Sequence, residues 1–293
     1  MSRLGFLCAV FLVAASCIAP SNLRAAEVSH TGKHFLWRVS NATAPFYLLG
    51  SMHALRAKDY PLGPEIDLAI RESKRFLYEH DIEHPDPDIS SKEMRDVAHF
   101  PTGMTLQQKI KPDTFARIQK LLKNLRTSEF NDVKPWAIAY FMLENPGMRS
   151  FNEHLSVERY VYQKAGGRAE IRGLETFNEF IRSISEMTDA DNESFLLQTI
   201  SYSERLPGMY VETIDAWKSG NTERMYQLYA PRTEGAAGYW RWIEKRSATL
   251  VPRIDEAIKS GKPAMVIVGA LHFCGPNSLI ALLQKRGCKI EQL

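Results

Sequence analysis

Two apolar runs near opposite ends of the chain close on the same pattern: a strand-like stretch, a glycine, two residues and a histidine. The first reads Phe46-Tyr47-Leu48-Leu49-Gly50-Ser51-Met52-His53, and the second Ala264-Met265-Val266-Ile267-Val268-Gly269-Ala270-Leu271-His272. Short apolar runs stopped by a glycine read as buried strands. Each is followed by a helical pattern and a second strand-like run. After the first come Glu65 to Lys74, with Ile66, Ala69 and Ile70 on one face, and then Phe76-Leu77-Tyr78. After the second come Pro276 to Arg286, carrying Leu279, Ile280, Leu282 and Leu283, and then Cys288 to Glu291. Strand, helix and strand at this length form a crossover unit with parallel strands. The expected fold is α/β, with a central, largely parallel or mixed sheet built from two pseudo-symmetric βαβ-type halves.

Between the halves the signals are helical, so a helical insertion is expected in a single domain. Phe115, Ile118, Leu121, Leu122 and Leu125 fall at helical spacing, with Lys120, Lys123 and Arg126 on the other side. Trp136 to Leu143 and Phe177 to Ser185 read as core helices, and Ala169 to Gly173 as a short strand. Pro252 to Lys259 reads as a helix that starts on its proline and closes at Gly261.

Ligands of a parallel α/β sheet sit beyond the carboxyl ends of its strands. Gly50 and Gly269 end two strands and permit a sharp turn there. His53 and His272 can then fold back over one rim of the sheet, if the halves are related by a pseudo-two-fold axis. Glu79 ends the strand after the first crossover and belongs to the same rim, with His80 and Asp81 beside it. Two histidines and a carboxylate suit a divalent transition metal such as Mn, Co or Zn, with positions left open for water. Such an ion acidifies water and polarises a carbonyl. Glu79 is either a ligand or the general base. Against this, a lone histidine after a strand is usually a structural hydrogen-bonding residue, and Glu79 alone reads as an exposed acid.

Two other functions fit the same residues. One is a protein that binds haem, a metal or a small ligand without turnover. The other is a metal-free, esterase-like hydrolase with a histidine as base. His80-Asp81-Ile82-Glu83-His84 spells the H-x-x-E-H of inverted zinc peptidases, but that motif needs a helix. An apolar strand precedes it, and Pro85 and Pro87 follow. His30, His34, His99 and His154 have no paired context.

The amino terminus sets the compartment. Arg3, the apolar run Leu4 to Ala19, a Pro20-Ser21-Asn22 break and Ala25-Ala26 have the order of a secretory signal. Residues 1–26 are expected to be removed, leaving 27–293 as the mature domain, periplasmic or secreted, with no transmembrane span. A retained anchor and lipidation at Cys17 are the alternatives. The formal net charge is +3 and falls without the signal, because the signal carries Arg3 and Arg24 and no acid. A near-neutral protein does not suit nucleic acid, so the expected partner is a peptide or small-molecule substrate. Two cysteines remain, and in an oxidising compartment they suggest a Cys274–Cys288 disulfide. The rival is a thiol ligand or nucleophile at Cys274.

Several segments together resemble the TraB/PrgY/GumN family. They are Leu48 to His53 followed by Tyr60-Pro61-Leu62 and Glu79, then Pro101-Thr102-Gly103-Met104-Thr105-Leu106, Lys134-Pro135-Trp136 and Gly173-Leu174-Glu175-Thr176. The closing block is Val268 to His272 with Gly275, Leu279, Leu283 and Gly287. The match covers nearly the whole mature chain, in order. It implies kinship with Tiki-type metalloproteases and pheromone-shutdown proteins, and more distantly with erythromycin-esterase and ChaN-like haem-binding folds. It carries a catalytic metal centre, with manganese or cobalt preferred, onto His53, His272 and Glu79. Arg246 stands where the family often has Arg-Asn, with Ser247 in place of the Asn, and Asn221 replaces a frequent Asp. Arg246 could stabilise an oxyanion, but a helix-surface charge is the favoured reading. Trp136 is expected to pack in the core, and Glu175 to cap a helix or make a buried polar contact.

Overall fold

A strand that is apolar at every position must be covered on both faces, and Phe46–Ser51 is buried along its whole length. In the computed structural model, residues 32–81, 96–123, 127–144, 153–167, 169–205, 208–231 and 237–293 are described. The signal segment, His30, Leu125, Arg126 and most of the H-x-x-E-H stretch lie outside them. The strands are β1 (Leu36–Val39), β2 (Phe46–Ser51), β3 (Arg75–Tyr78), β4 (Glu170–Gly173), β5 (Ala264–Gly269) and β6 (Ile290–Gln292). They form one mixed sheet in the order β4-β3-β5-β2-β1-β6. β4, β3, β5 and β2 are mutually parallel, whereas β1 runs antiparallel to both β2 and β6.

The helices are α1 (Pro64–Glu72), α2 (Leu106–Lys109), α3 (Pro112–Leu121), α4 (Pro135–Glu144), α5 (Val157–Ala165) and α6 (Phe177–Ser185). They continue with α7 (Asp189–Arg205), α8 (Gly208–Lys218), α9 (Thr222–Tyr229), α10 (Gly238–Lys259) and α11 (Leu279–Lys285). Two buried clusters result. One joins the sheet to α1, α5 and α11. The other is helical, with α7 packed against α4 and α10. Phe180, Trp242 and Tyr239 form an aromatic chain through it, and Trp136 is fully buried there, as its apolar surroundings predict.

The parallel crossovers, the mixed sheet and the helical insertion are as expected. The two halves, however, do not match strand for strand. From β2 the chain crosses β5 to reach β3, whereas from β5 it crosses β2 and β1 to reach the far edge at β6. β1 was not foreseen. It is only four residues long and carries the exposed Arg38 in its middle, so its alternation is too short to read.

Two further expectations are corrected. Pro252 does not start a helix but lies inside the 22-residue α10. An interior proline forfeits a helix hydrogen bond at a cost of ~3 kcal/mol. Here Leu250, Val251 and Ile254 bury the same turn and hold the helix together. Cys274 and Cys288 are free thiols, not a disulfide. The Sγ of Cys274 is buried and donates to the Ala270 carbonyl at 3.4 Å. Cys288 lies at the other end of α11 in the charged surroundings of Asp255 and Arg286. Burial raises the pKa of both thiols. No helix among the described residues is long and apolar enough to cross a membrane.

Candidate functional site

Four parallel strands point their carboxyl ends at one rim, and each delivers a side chain there. β2 leads to His53, β3 to Glu79, β4 to Glu175 and β5 to His272. The β3–β4 ladder continues past the strands: Leu174 N–H donates to the Tyr78 carbonyl at 2.7 Å and Glu175 N–H to the Glu79 carbonyl at 2.9 Å. The two glutamates are therefore neighbours. Gly173 makes this possible, since a Cβ on it would lie 2.6 Å from the Asp81 backbone nitrogen.

Gly269 is the floor of the site. Its N–H donates to Glu79 Oε1 at 2.5 Å. A Cβ on Gly269 would lie 3.1 Å from Glu79 Oε1, 3.7 Å from His53 Nε2 and 3.8 Å from His272 Cδ2. The three residues singled out in the sequence thus come together, around the space that this glycine leaves open. His272 Nε2 and Glu79 Oε1 are 3.8 Å apart. Two donors bound to one ion at about 2.1 Å can be no more than about 4.2 Å apart, so this pair can share an ion.

The outer nitrogens of both imidazoles are held. His272 is buried, and its Nδ1 lies 2.8 Å from Ser247 Oγ. That hydroxyl spends its hydrogen on the Ile243 carbonyl at 2.9 Å, so Nδ1–H is the donor and Nε2 keeps its lone pair. His53 Nδ1 lies 2.8 Å from Glu158 Oε1. A carboxylate only accepts, so Nδ1–H donates here too. Oriented imidazoles with their other nitrogen held by a hydrogen-bond acceptor are the usual form of histidine ligands. Burial, followed by the charge of Arg246, lowers the His272 pKa to about 4 against the pull of Glu79, which keeps the ring neutral at neutral pH.

Arg246 corrects its expected place on the helix surface. It is 3% exposed and reaches the centre of the rim from α10. Its Nη2 donates to Glu79 Oε2 at 2.9 Å and also to Glu175 Oε1, and its Nη1 lies 3.4 Å from His272 Nε2. The guanidinium stacks on Phe180 and Trp242, with its central carbon 5.1 and 4.9 Å from the ring centroids. Burial alone would raise the Glu79 pKa. The positive charge of Arg246 above all outweighs burial and holds it well below the usual carboxylate range. Glu175 makes the buried polar contact foreseen for it. Removing one partner from such a buried pair costs about 3–5 kcal/mol, so Arg246 is a fixed part of the site.

Glu79, His80 and Glu175 also form a compact group, with ligand atoms within 4.8 Å of one another. Arg246 binds both of its acids. His80 Nε2 is 3.8 Å from Glu175 Oε1, and its ring meets Phe180 edge-on. Burial lowers its pKa. Asp81 is partly buried where its backbone passes Gly173. Of the background histidines, His34 faces Glu65 and His99 faces Asp132. Asn221, in place of the Asp, caps α9 by accepting from Arg224 N–H at 2.8 Å. Glu158 was missed altogether, and no motif surrounds it. For Ser247, its position next to Arg246 was the available signal.

The TraB/PrgY/gumN family model matches residues 35–292. No match to a curated protein or to a solved structure accompanies it.

Proposed function

Since the chain belongs to the TraB/PrgY/gumN family, we propose that it is a metal-dependent hydrolase, exported from the cytoplasm, whose divalent ion is held by His53, His272 and Glu79. The observation that carries this reading is the meeting of His53 Nε2, Glu79 Oε1 and the His272 ring around the missing Cβ of Gly269. Nitrogen and carboxylate donors in this number suit Mn, Co or Zn. The charge balance suits it as well: Glu79 and Glu175 share the single guanidinium of Arg246, which leaves negative charge for a divalent ion to offset. Such an ion, when bound, polarises a substrate carbonyl and acidifies a water.

The chain's own groups have distinct parts. Glu79 is held too far below neutrality for a general base, whose pKa should lie near the working pH; a ligand role suits it. Arg246 keeps Glu79 and Glu175 in place, and its Nη1 is a preorganised donor beside the reacting space. Peptides are the substrate class that the family resemblance implies, and the amino-terminal segment has the order of a secretory signal.

The test is hydrolysis of a broad peptide library by the purified mature protein, before and after exhaustive chelation, with Mn, Co or Zn added back. Cleavage that is lost on chelation and returns with the ion is expected. Cleavage that survives chelation would select the metal-free esterase-like alternative. Ion or haem binding with no cleavage would select the binding-protein alternative.

A further inference from the structure

We infer that Glu158 is a positioning residue of the site: it fixes which nitrogen of His53 faces the rim and adds a carboxylate charge beside it. The inference rests on the metal-site reading. None of the motifs in the sequence includes Glu158. It arrives from α5, a helix remote in sequence from both G-x-x-H segments.

The elements around the contact are tied together. The N–H of Val157, the first residue of α5, donates to the Met52 carbonyl at 3.0 Å, one residue before His53. The His53 loop is held at two more carbonyls, by Trp217 Nε1 on Gly50 at 2.7 Å and the Tyr210 hydroxyl on Ala54 at 2.8 Å. The Tyr60 hydroxyl donates to the Leu155 carbonyl at 2.7 Å, just before α5. Ser156 caps α5 by accepting from Arg159 N–H at 3.2 Å. Backbone positions are therefore set on both sides, and what remains to be set is the imidazole.

The two histidines need different acceptors because they differ in exposure. His272 is 2% exposed, so a neutral hydroxyl suffices to orient it. The His53 side chain is 69% exposed. Water competes for its Nδ1–H, and only a strong, charge-assisted acceptor holds the ring against that competition. Glu158, with a side chain 21% exposed, is such an acceptor. Without it, an exposed imidazole favours the hydrogen on Nε2, which would turn a donor N–H toward the ion.

The experiment compares the wild-type full chain with Glu158→Gln and Glu158→Ala by two measurements. Nitrogen-15 spectra of the histidine rings report which nitrogen of His53 is protonated. The hydrogen is expected on Nδ1 in the wild type and in Glu158→Gln, whose amide oxygen still accepts, and on Nε2 to a large extent in Glu158→Ala. Cobalt affinity is expected to fall about 10–100-fold in Glu158→Ala and by less in Glu158→Gln, which keeps the hydrogen bond and loses the charge. A His53 ring spectrum unchanged in Glu158→Ala overturns the inference, as does unchanged cobalt affinity in that variant. If the wild type binds no cobalt, the metal-site reading fails by itself, and the ring spectra still decide whether Glu158 sets the tautomer.

Discussion

Gly269 has φ −51° and ψ 137°, an ordinary extended backbone open to any residue. Its requirement for glycine therefore comes from space and not from dihedral strain. Gly269→Ala is predicted to fold with a thermal midpoint close to wild type and to lose ion binding, because the new methyl group would fill the space shared by Glu79, His53 and His272. Calorimetry beside an ion titration checks this; wild-type affinity in a folded variant would refute it. Gly50 obeys the same logic on the other strand, where a Cβ would lie 2.7 Å from Phe35 Cδ1. At this scale the sequence singled out His53, His272 and Glu79, which the fold brings together around Gly269, because they follow strands whose apolar runs are visible. Arg246 was misjudged because burial beside two carboxylates depends on long-range packing. Glu158 was invisible because it approaches from an insertion helix whose docking no local pattern encodes. The cysteines were paired by parity and compartment, neither of which knows that they lie at opposite ends of α11.

Elements bring these residues together through long helices that lie across the sheet. α10 carries Arg246 and Ser247 to the rim and, two turns later, Arg253 to α6. Arg253 Nη1 donates to the Leu174 carbonyl at 2.5 Å and to Glu179 Oε2 at 3.0 Å. The hydrogen bond from Arg253, ahead of opposing burial, pulls the Glu179 pKa from 4.5 to about 2. The folded value lies below the unfolded one, so this pair stabilises the protein above pH ~4.5. The contribution is lost as the pH falls toward 2. Both side chains are more than two-fifths exposed, and solvent screening limits the coupling to about 0.5 kcal/mol. A double-mutant cycle of Arg253→Ala and Glu179→Ala in urea should give that coupling at pH 7 and almost none at pH 2. Equal coupling at both pH values would contradict the assignment. Helix and strand positions were mostly legible, and α6 falls where its apolar spacing predicts, at Phe177–Ser185. The start of α10 was not legible. Proline is a local start signal, and tertiary burial of Leu250, Val251 and Ile254 overrides it.

In the whole molecule, the first and last described segments meet. β2 and β5 pair in register, with Gly50 opposite Val268 and Ser51 opposite Gly269. The final strand returns to β1, where Leu293 N–H donates to the Leu36 carbonyl at 2.9 Å and His34 N–H to the Leu293 carbonyl at 2.6 Å. That closure places one histidine from each end beside Glu79, and no property of either end alone would do so. The paired strand-glycine-histidine pattern made this convergence readable, although the halves proved inequivalent. The most direct test of the central claim is a cobalt titration of the metal-free mature protein followed by visible absorption. One cobalt per chain with ligand-field bands is predicted for the wild type, with both stoichiometry and bands lost in His53→Ala and in His272→Ala. Identical titrations in the wild type and both variants would contradict the account.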